Sequence, residues 1–415
     1  MLNSRRALVA ALSILAIFFL ITRSQVSSSA DSSTPSSHDT STTADSLHDG
    51  TSSGYSDGRT TDENDGRPPL NPEAAAAAGG AGGAGGAGGA GGAAPARNTP
   101  VYQQKQQPLQ RTPRKPTSDM SHLSTADKLA YVYPYDVTSK FPAYIWQTWK
   151  WTADDAEFEY VEQEASWTQQ HPTFIHEVVT DHVAVKLLRL LYASVPEVLE
   201  AYEALPRPVL KADFFRYLIL YARGGIYSDI DTFAIQSAVN WLPPDVALDT
   251  VGLVVGIEAD PDRPDWADWY SRRIQFCQWT IQAKPGHPAL RAVIAHITRE
   301  TLERKRSGKL ASFVDSDTVN LTGPAVWTDV IMDYLNDERY FDRSRSSGVI
   351  DYRAFTGMED RKRIGDVVVL PITSFSPGVG QMGAKEDDDP MAFVKHYFEG
   401  TWKPESERHI GEQRS

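Results

Sequence analysis

The sequence predicts an α/β protein whose strands are joined by helical crossovers. Three observations carry that expectation. Strand-like and helix-like segments alternate between residues 144 and 371, the pattern of strands whose connecting helices pack on the sheet. Residues 251–257 form a continuous apolar run, as in a parallel strand covered on both faces. A strong helix, a Gly-Gly turn and a short strand lead directly into Asp229-Ile230-Asp231.

The chain opens with a different kind of segment. Residues 7–22 (ALVAALSILAIFFLIT) hold no charge and follow Arg5 and Arg6. No Ala-x-Ala cleavage site comes after them, so residues 1–23 read as a cytosolic tail and an uncleaved transmembrane signal anchor. The excess of arginine before the span places the remainder of the chain on the lumenal side. Residues 24–121 are rich in Ser, Thr, Gln and Pro and include polyalanine and Gly-Gly-Ala repeats. Such composition is too poor in large apolar groups to offset ordering entropy, and reads as a disordered, flexible stalk.

Residues 122–415 remain as the globular domain. In order, 144–149 (YIWQTW) reads as a strand, 152–170 as a helix and 173–179 as a strand. Two short helices follow at 183–192 and 195–204, divided by Pro196. The helix at 209–222 is the strongest, with Leu210, Phe214, Tyr217, Leu218 and Tyr221 spaced by three and four. Gly224-Gly225 ends it, and 226–228 is a short strand. Helices at 287–302 and 326–335 and a strand at 366–371 complete the reading.

Charge and cysteine content exclude several functions. The net charge is −13, and residues 121–415 alone hold 31 basic against 44 acidic side chains. A nucleic-acid binder would carry a basic field. The single cysteine, Cys277, excludes an intramolecular disulfide and a cysteine-based metal site. His171, His176 and His182 lack the spacing of a helical zinc motif. Gly378-Val379-Gly380-Gln381-Met382-Gly383 spells a dinucleotide fingerprint, but four acidic residues at 386–389 follow in place of a helix. That segment reads as a mobile loop over the active site.

The chemistry concentrates in three places. Asp229 and Asp231 stand one residue apart after a strand, where open α/β sheets bind ligands. Their hard oxygens suit Mn²⁺ or Mg²⁺, and such an ion can bridge a diphosphate. Asp213 and Arg216 share one helix face, either as an intrahelical ion pair or as a polar pair turned to the cleft. Near the C-terminus, His396 and the Trp402-Lys403 pair lie within eight residues. Folding back, that tail would bring an imidazole to the metal and N–H donors to phosphate oxygens.

With these residues in view, the chain resembles the fungal initiation-specific α-1,6-mannosyltransferases, a family of DxD-containing glycosyltransferases. PAYIWQTWK at 142–150, KADFFRYLILYARGGIYSDIDT at 211–232, TGPAVWTD at 322–329 and the tail at 396–403 carry the resemblance. It implies a GT-A-type, Rossmann-like nucleotide-sugar fold in a Golgi type II membrane protein. It further implies a GDP-mannose donor, Mn²⁺, an N-glycan acceptor and retention at the anomeric carbon. By the same resemblance, Asp229, Asp231 and His396 are the metal residues and Asp213 and Arg216 hold the donor sugar. Trp146 lies by the base pocket, Trp402 and Lys403 contact the diphosphate, and Gly323, Asp329 and Glu258 lie toward the acceptor. Two alternatives stay open. One is a relative acting on inositol phosphorylceramide or using a UDP-sugar. The other is a non-catalytic subunit of a mannosyltransferase complex, against which the intact Asp pair, His396 and Trp402 argue.

Two local expectations complete the reading. Asn320-Leu321-Thr322 is the chain's only N-glycosylation sequon, and its place beside Gly323-Pro324 predicts low occupancy. Residues 376–390, rich in Gly and Asp, are expected to let the tail close over bound donor.

Overall fold

A computed structural model describes residues 119–400 apart from 262, 269, 313–316 and 343–347. The anchor, the stalk as far as residue 118, Trp402 and Lys403 therefore lie outside the described residues. Among those described, no helix is long and apolar enough to cross a membrane.

In chain order the elements are α1 (Thr125–Val132), β1 (Tyr144–Thr148), α2 (Val161–Gln170), β2 (Ile175–Val179), α3 (Asp181–Leu191), α4 (Pro196–Ala204) and α5 (Pro208–Arg223). After these come β3 (Gly225–Ser228), β4 (Thr232–Ala234), β5 (Leu253–Ala259), β6 (Gln275–Ala283), α6 (Pro288–Arg306) and α7 (Pro324–Leu335). The last are β7 (Lys362–Ile364), β8 (Val367–Leu370) and β9 (Val394–His396). Seven strands form one sheet in the order β2-β1-β3-β6-β5-β8-β7. The pairs β1–β2, β1–β3 and β5–β8 are parallel, while β3–β6, β5–β6 and β7–β8 are antiparallel. The sheet is thus mostly parallel, with β6 and β7 reversed. The α/β expectation holds, with one correction: β5 is parallel to β8 but antiparallel to β6 on its other side.

α5 and the turn after it position the site. Pro208 starts the helix and Gly224 ends it at φ +66°. Every residue from Asp213 to Ala222 is buried, so this helix lies in the core rather than on its surface. Gly224 and Gly225 are obligatory. A Cβ at Gly224 would lie 2.6 Å from Pro285 Cδ, and one at Gly225 would lie 2.5 Å from the Tyr144 carbonyl oxygen. The chain therefore reverses within two residues and enters β3 beside β1.

Two expectations fail locally. The helix expected over 152–170 begins only at Val161. Thr152 donates its backbone N–H and its hydroxyl to Asp155 Oδ2, a local pattern that competes with helical bonding. The strand β6 had no counterpart in the sequence reading. Gln275, Gln278, Thr280 and Gln282 interrupt its apolar residues, and the pairing with β5 shifts register between Val255 and Ile257. Neither period survives such a break.

The amino edge of the sheet carries a buried polar knot. Asp366, fully buried, accepts hydrogen bonds from the Tyr135 and Tyr334 hydroxyls and lies 3.5 Å from His287 Nε2. Asp366→Ala would strand these groups. It is expected to cost on the order of 3 kcal/mol in denaturant unfolding while leaving the donor KM of the folded fraction unchanged. A shifted KM would connect this edge to the site.

Candidate functional site

The site forms where β3 ends. The turn after Ser228 is fixed from several sides: Asp229 N–H donates to the Trp279 carbonyl at 2.8 Å, and the Asp229 carbonyl accepts from Thr232 Oγ1 at 2.6 Å and Gln147 Nε2 at 3.1 Å. The chain then turns into β4. The C-terminal tail returns to pair with it as β9, with His396 opposite Thr232. That two-stranded ribbon brings residues 165 positions apart to one place. His396 Nε2 lies 3.3 Å from Asp231 Oδ1, and Asp231 Oδ2 accepts from Glu399 N–H at 3.1 Å. The imidazole stacks on Trp279 at 4.7 Å and touches Phe398 at 4.1 Å between centroids.

Asp229, Asp231 and His396 offer ligand atoms that all lie within 4.8 Å of one another, the one such group of three among the described residues. Two carboxylates and an imidazole suit a divalent ion of the Mn²⁺ or Mg²⁺ kind. His396 Nδ1 is buried without a hydrogen-bond partner. The residues present therefore fit a divalent cation.

Beneath this group lies an ion-pair network. Arg216 Nη2 lies 3.1 Å from Asp213 Oδ1 and 3.0 Å from Asp229 Oδ1, with the guanidinium over the Tyr227 ring. Tyr227 donates its hydroxyl to Asp229 Oδ1 at 2.9 Å. Arg216 thus makes the intrahelical pair and also joins α5 to the Asp229 turn. Asp213 accepts from Gln278 Nε2 at 3.2 Å and from Thr322 Oγ1 at 2.8 Å. Its carboxyl is pushed up to about 6 by burial, against the lowering effect of Arg216. Burial also raises Asp229. Asp231 behaves differently: burial would raise it, but His396 and the Glu399 N–H hold it below the ordinary carboxylate range.

Glu258 joins this neighbourhood from the carboxyl end of β5. Burial pushes its carboxyl up to about 7, and it feels the charges of His396 and Arg216. Its Oε2 is buried with no hydrogen-bond partner, as is Arg216 Nε. Buried polar atoms are nearly always paired in a finished interior. Three unpaired ones around one carboxylate cluster mark a place built for a polar ligand. At the same end of β5, Ile257 and, just past the strand, Asp260 line a cavity of about 130 Å³ closed by Met382, Gly383 and Lys385. Gly378, Gly380, Met382 and Gly383 all have positive φ there, and no helix opens after Gly383.

Other expected residues stand apart. Trp146 is only 8% exposed and its indole N–H donates to the Gly224 carbonyl at the amino end of β3. It packs in the core and is not grouped with the aspartates. Asp329 pairs with Arg272 on the surface at 2.6 Å. Gly323 caps α7, where a Cβ would lie 2.4 Å from the Thr318 carbonyl oxygen. The sequence reading missed Tyr227, Gln278 and Thr322. Tyr227 and Thr322 lie inside the motifs that carry the resemblance, while Gln278 lies in β6, where no motif points to it.

Residues 158–247 match the family described as a glycosyltransferase sugar-binding region containing a DXD motif. That stretch includes Asp213, Arg216, Asp229 and Asp231, whereas His396 lies beyond it. Three relatives are each described as an initiation-specific alpha-1,6-mannosyltransferase. The one from Candida albicans is 47% identical over 306 residues, covering 70% of this chain and 80% of the relative. The Schizosaccharomyces pombe relative is 46% identical over 279 residues, covering 67% of each chain. The Saccharomyces cerevisiae relative is 33% identical, covering 69% of this chain and 83% of the relative.

Proposed function

This chain belongs to the initiation-specific α-1,6-mannosyltransferase family of DXD-containing glycosyltransferases, and we propose that it transfers mannose from GDP-mannose in α-1,6 linkage to the N-glycan core. It is a glycosyltransferase, and its relatives make it a mannosyltransferase. The finer reading also has the sheet as a GT-A fold, retention of configuration, a divalent-cation requirement met by Mn²⁺, and a Golgi type II membrane protein. The observation that supports the site is the meeting of Asp229, Asp231 and His396 with the Asp213–Arg216 pair directly below them.

In this reading Asp213 and Arg216 bind hydroxyls of the donor sugar. Arg216 offers Nε, which no protein group uses, and Asp213 is held rigid by three partners. Asp229, Asp231 and His396 hold the cation, which when bound neutralises charge on the departing diphosphate. Trp402 and Lys403 add donors to the phosphate oxygens. The acceptor hydroxyl attacks the anomeric carbon on the face the diphosphate leaves. Its proton passes to the departing phosphate oxygen, so no protein nucleophile is required. Glu258, with one free oxygen, orients a sugar hydroxyl at the acceptor side.

The purified full-length chain, incubated with Mn²⁺ and a high-mannose N-glycan, is expected to use GDP-mannose at least about a hundredfold better than GDP-fucose, UDP-glucose or UDP-galactose. Discrimination of that order follows when buried polar groups are left unpaired by the wrong donor. EDTA should stop transfer, and inositol phosphorylceramide should not replace the glycan. Preference for a UDP-sugar, or for the lipid acceptor, would overturn the donor or acceptor assignment.

A further inference from the structure

The sequon at Asn320 contains a residue with other work in the folded chain. Residues Thr318–Thr322 form a π-helical turn just before α7, a rare geometry that often marks functional sites. Asn320 is exposed on this turn, whereas Thr322 is fully buried. Thr322 Oγ1 donates to Asp213 Oδ2 at 2.8 Å. The Thr322 carbonyl lies 3.0 Å from the Tyr217 hydroxyl, which lies 2.7 Å from Gln278 Oε1. Gln278 Nε2 in turn donates to Asp213 Oδ1 at 3.2 Å. Gly323 keeps the turn closed, since any side chain there would strike the Thr318 carbonyl. The turn therefore presents one hydroxyl, at a fixed place, to the carboxylate that also holds Arg216.

We propose that Thr322 is a positioning residue: its hydroxyl fixes Asp213 Oδ2 so that the Asp213–Arg216 pair meets the donor sugar in one orientation. Asp213 Oδ1 is shared by Arg216 and Gln278. Oδ2 has Thr322 as its hydrogen-bond donor, and without it the carboxylate can rotate about its side-chain axis. Substitution of this threonine then acts on donor binding, not through a missing glycan at Asn320. The inference rests on the reading that Asp213 contacts the donor sugar.

Four full-length variants separate the possibilities: Thr322→Val, Thr322→Ser, Asn320→Gln and Asp213→Asn. A hydrogen bond to a charged group controls roughly a ten- to hundredfold factor. Thr322→Val is expected to lower kcat/KM for GDP-mannose by about that much, chiefly through KM. Thr322→Ser keeps the hydroxyl and should recover to within about threefold, and Asn320→Gln, which removes the sequon but keeps an exposed amide and the Thr322 hydroxyl, should match the parent. The acid limb of the kcat/KM profile in Thr322→Val should move to higher pH, because the carboxyl at about 6 loses a donor that lowers it. In an Asp213→Asn background, the valine substitution should add little.

The results discriminate. Parent-like kinetics in Thr322→Val, or Thr322→Ser as impaired as valine, would overturn the proposal. So would Asn320→Gln reproducing the valine defect, which would assign it to a glycan. If Thr322→Val does not fold, Thr322→Ser and Asn320→Gln still decide between hydroxyl and glycan: an impaired, folded Thr322→Ser would refute the positioning role. Should Asp213→Asn leave the donor KM untouched, the donor-site reading fails first, and that failure is distinct from any effect at Thr322.

Discussion

Asp231→Asn is expected to abolish mannosyl transfer, by about 10²–10³-fold or more, with the fold intact. Losses of that size follow removal of one preorganised electrostatic partner. The substitution is nearly isosteric. Asp231 Oδ1 faces His396 at 3.3 Å and Oδ2 takes one backbone N–H, and an amide oxygen preserves one of these contacts. Asp229 is a less clean test, because it also anchors Arg216, and its removal leaves that buried cation with Asp213 as its one carboxylate partner. His396→Ala is the companion: it should raise the Mn²⁺ concentration for half-activity rather than only lower kcat. The stability curve supplies a second readout. The Asp231 carboxyl is held below its ordinary value in the folded chain. Its stabilisation is therefore present above the ordinary carboxylate pKa of about 4 and is lost as pH falls through the lower folded value. Asp231→Asn should flatten that acid limb. Near-normal transfer by the folded variant would remove Asp231 from the cation site.

How much of this was legible follows from where each signal lives. α5 was read nearly to the residue, because its periodic apolar positions, Pro208 and Gly224 are all local. The Asp229-x-Asp231 pair was legible for the same reason, and β8 follows from a run of four buried aliphatic residues. The joining of His396 to Asp231 depends on the β4–β9 ribbon, whose three-residue strands carry no periodicity. The clustering of His396 with Trp402 and Lys403 suggested that the tail folds back to the metal, but nothing local fixed its pairing with β4. β6 was illegible because its polar residues face partners brought by other elements: Gln278 faces Asp213 and Tyr217, and Thr280 faces Ser228. Trp146 has a structural role that no local pattern announced: its N–H donates to the Gly224 carbonyl that the Gly-Gly turn presents.

Arg216→Met should be the most damaging substitution for both function and fold. One nitrogen, Nη2, serves Asp213 at 3.1 Å and Asp229 at 3.0 Å, and the arginine side chain is only 5% exposed. Methionine fills similar space but leaves the buried Asp213 carboxylate and the partly buried Asp229 carboxylate facing each other without a cation. Breaking a buried pair by removing one partner costs about 3–5 kcal/mol, and loss of the guanidinium proposed to bind the donor sugar should lower kcat/KM by about a thousandfold. Arg216→Lys should rescue part of the stability but little of the activity. A single ammonium can neutralise the pair, but it cannot reach both carboxylates and also offer the free Nε position. The pH dependence separates charge from packing. Asp213 is raised to about 6 in the parent, with burial as the largest cause and Arg216 opposing it. Removing the cation raises it further. A carboxyl whose folded pKa lies above its unfolded one binds more protons when folded, so stability falls as pH rises. Arg216→Met should therefore regain stability relative to the parent as pH is lowered from about 8 toward 5, as protons replace the missing cation. Melting temperatures measured across that range decide the matter. A stability deficit independent of pH would mean that methionine fails through packing alone, and that Arg216 does not hold the two carboxylates by charge.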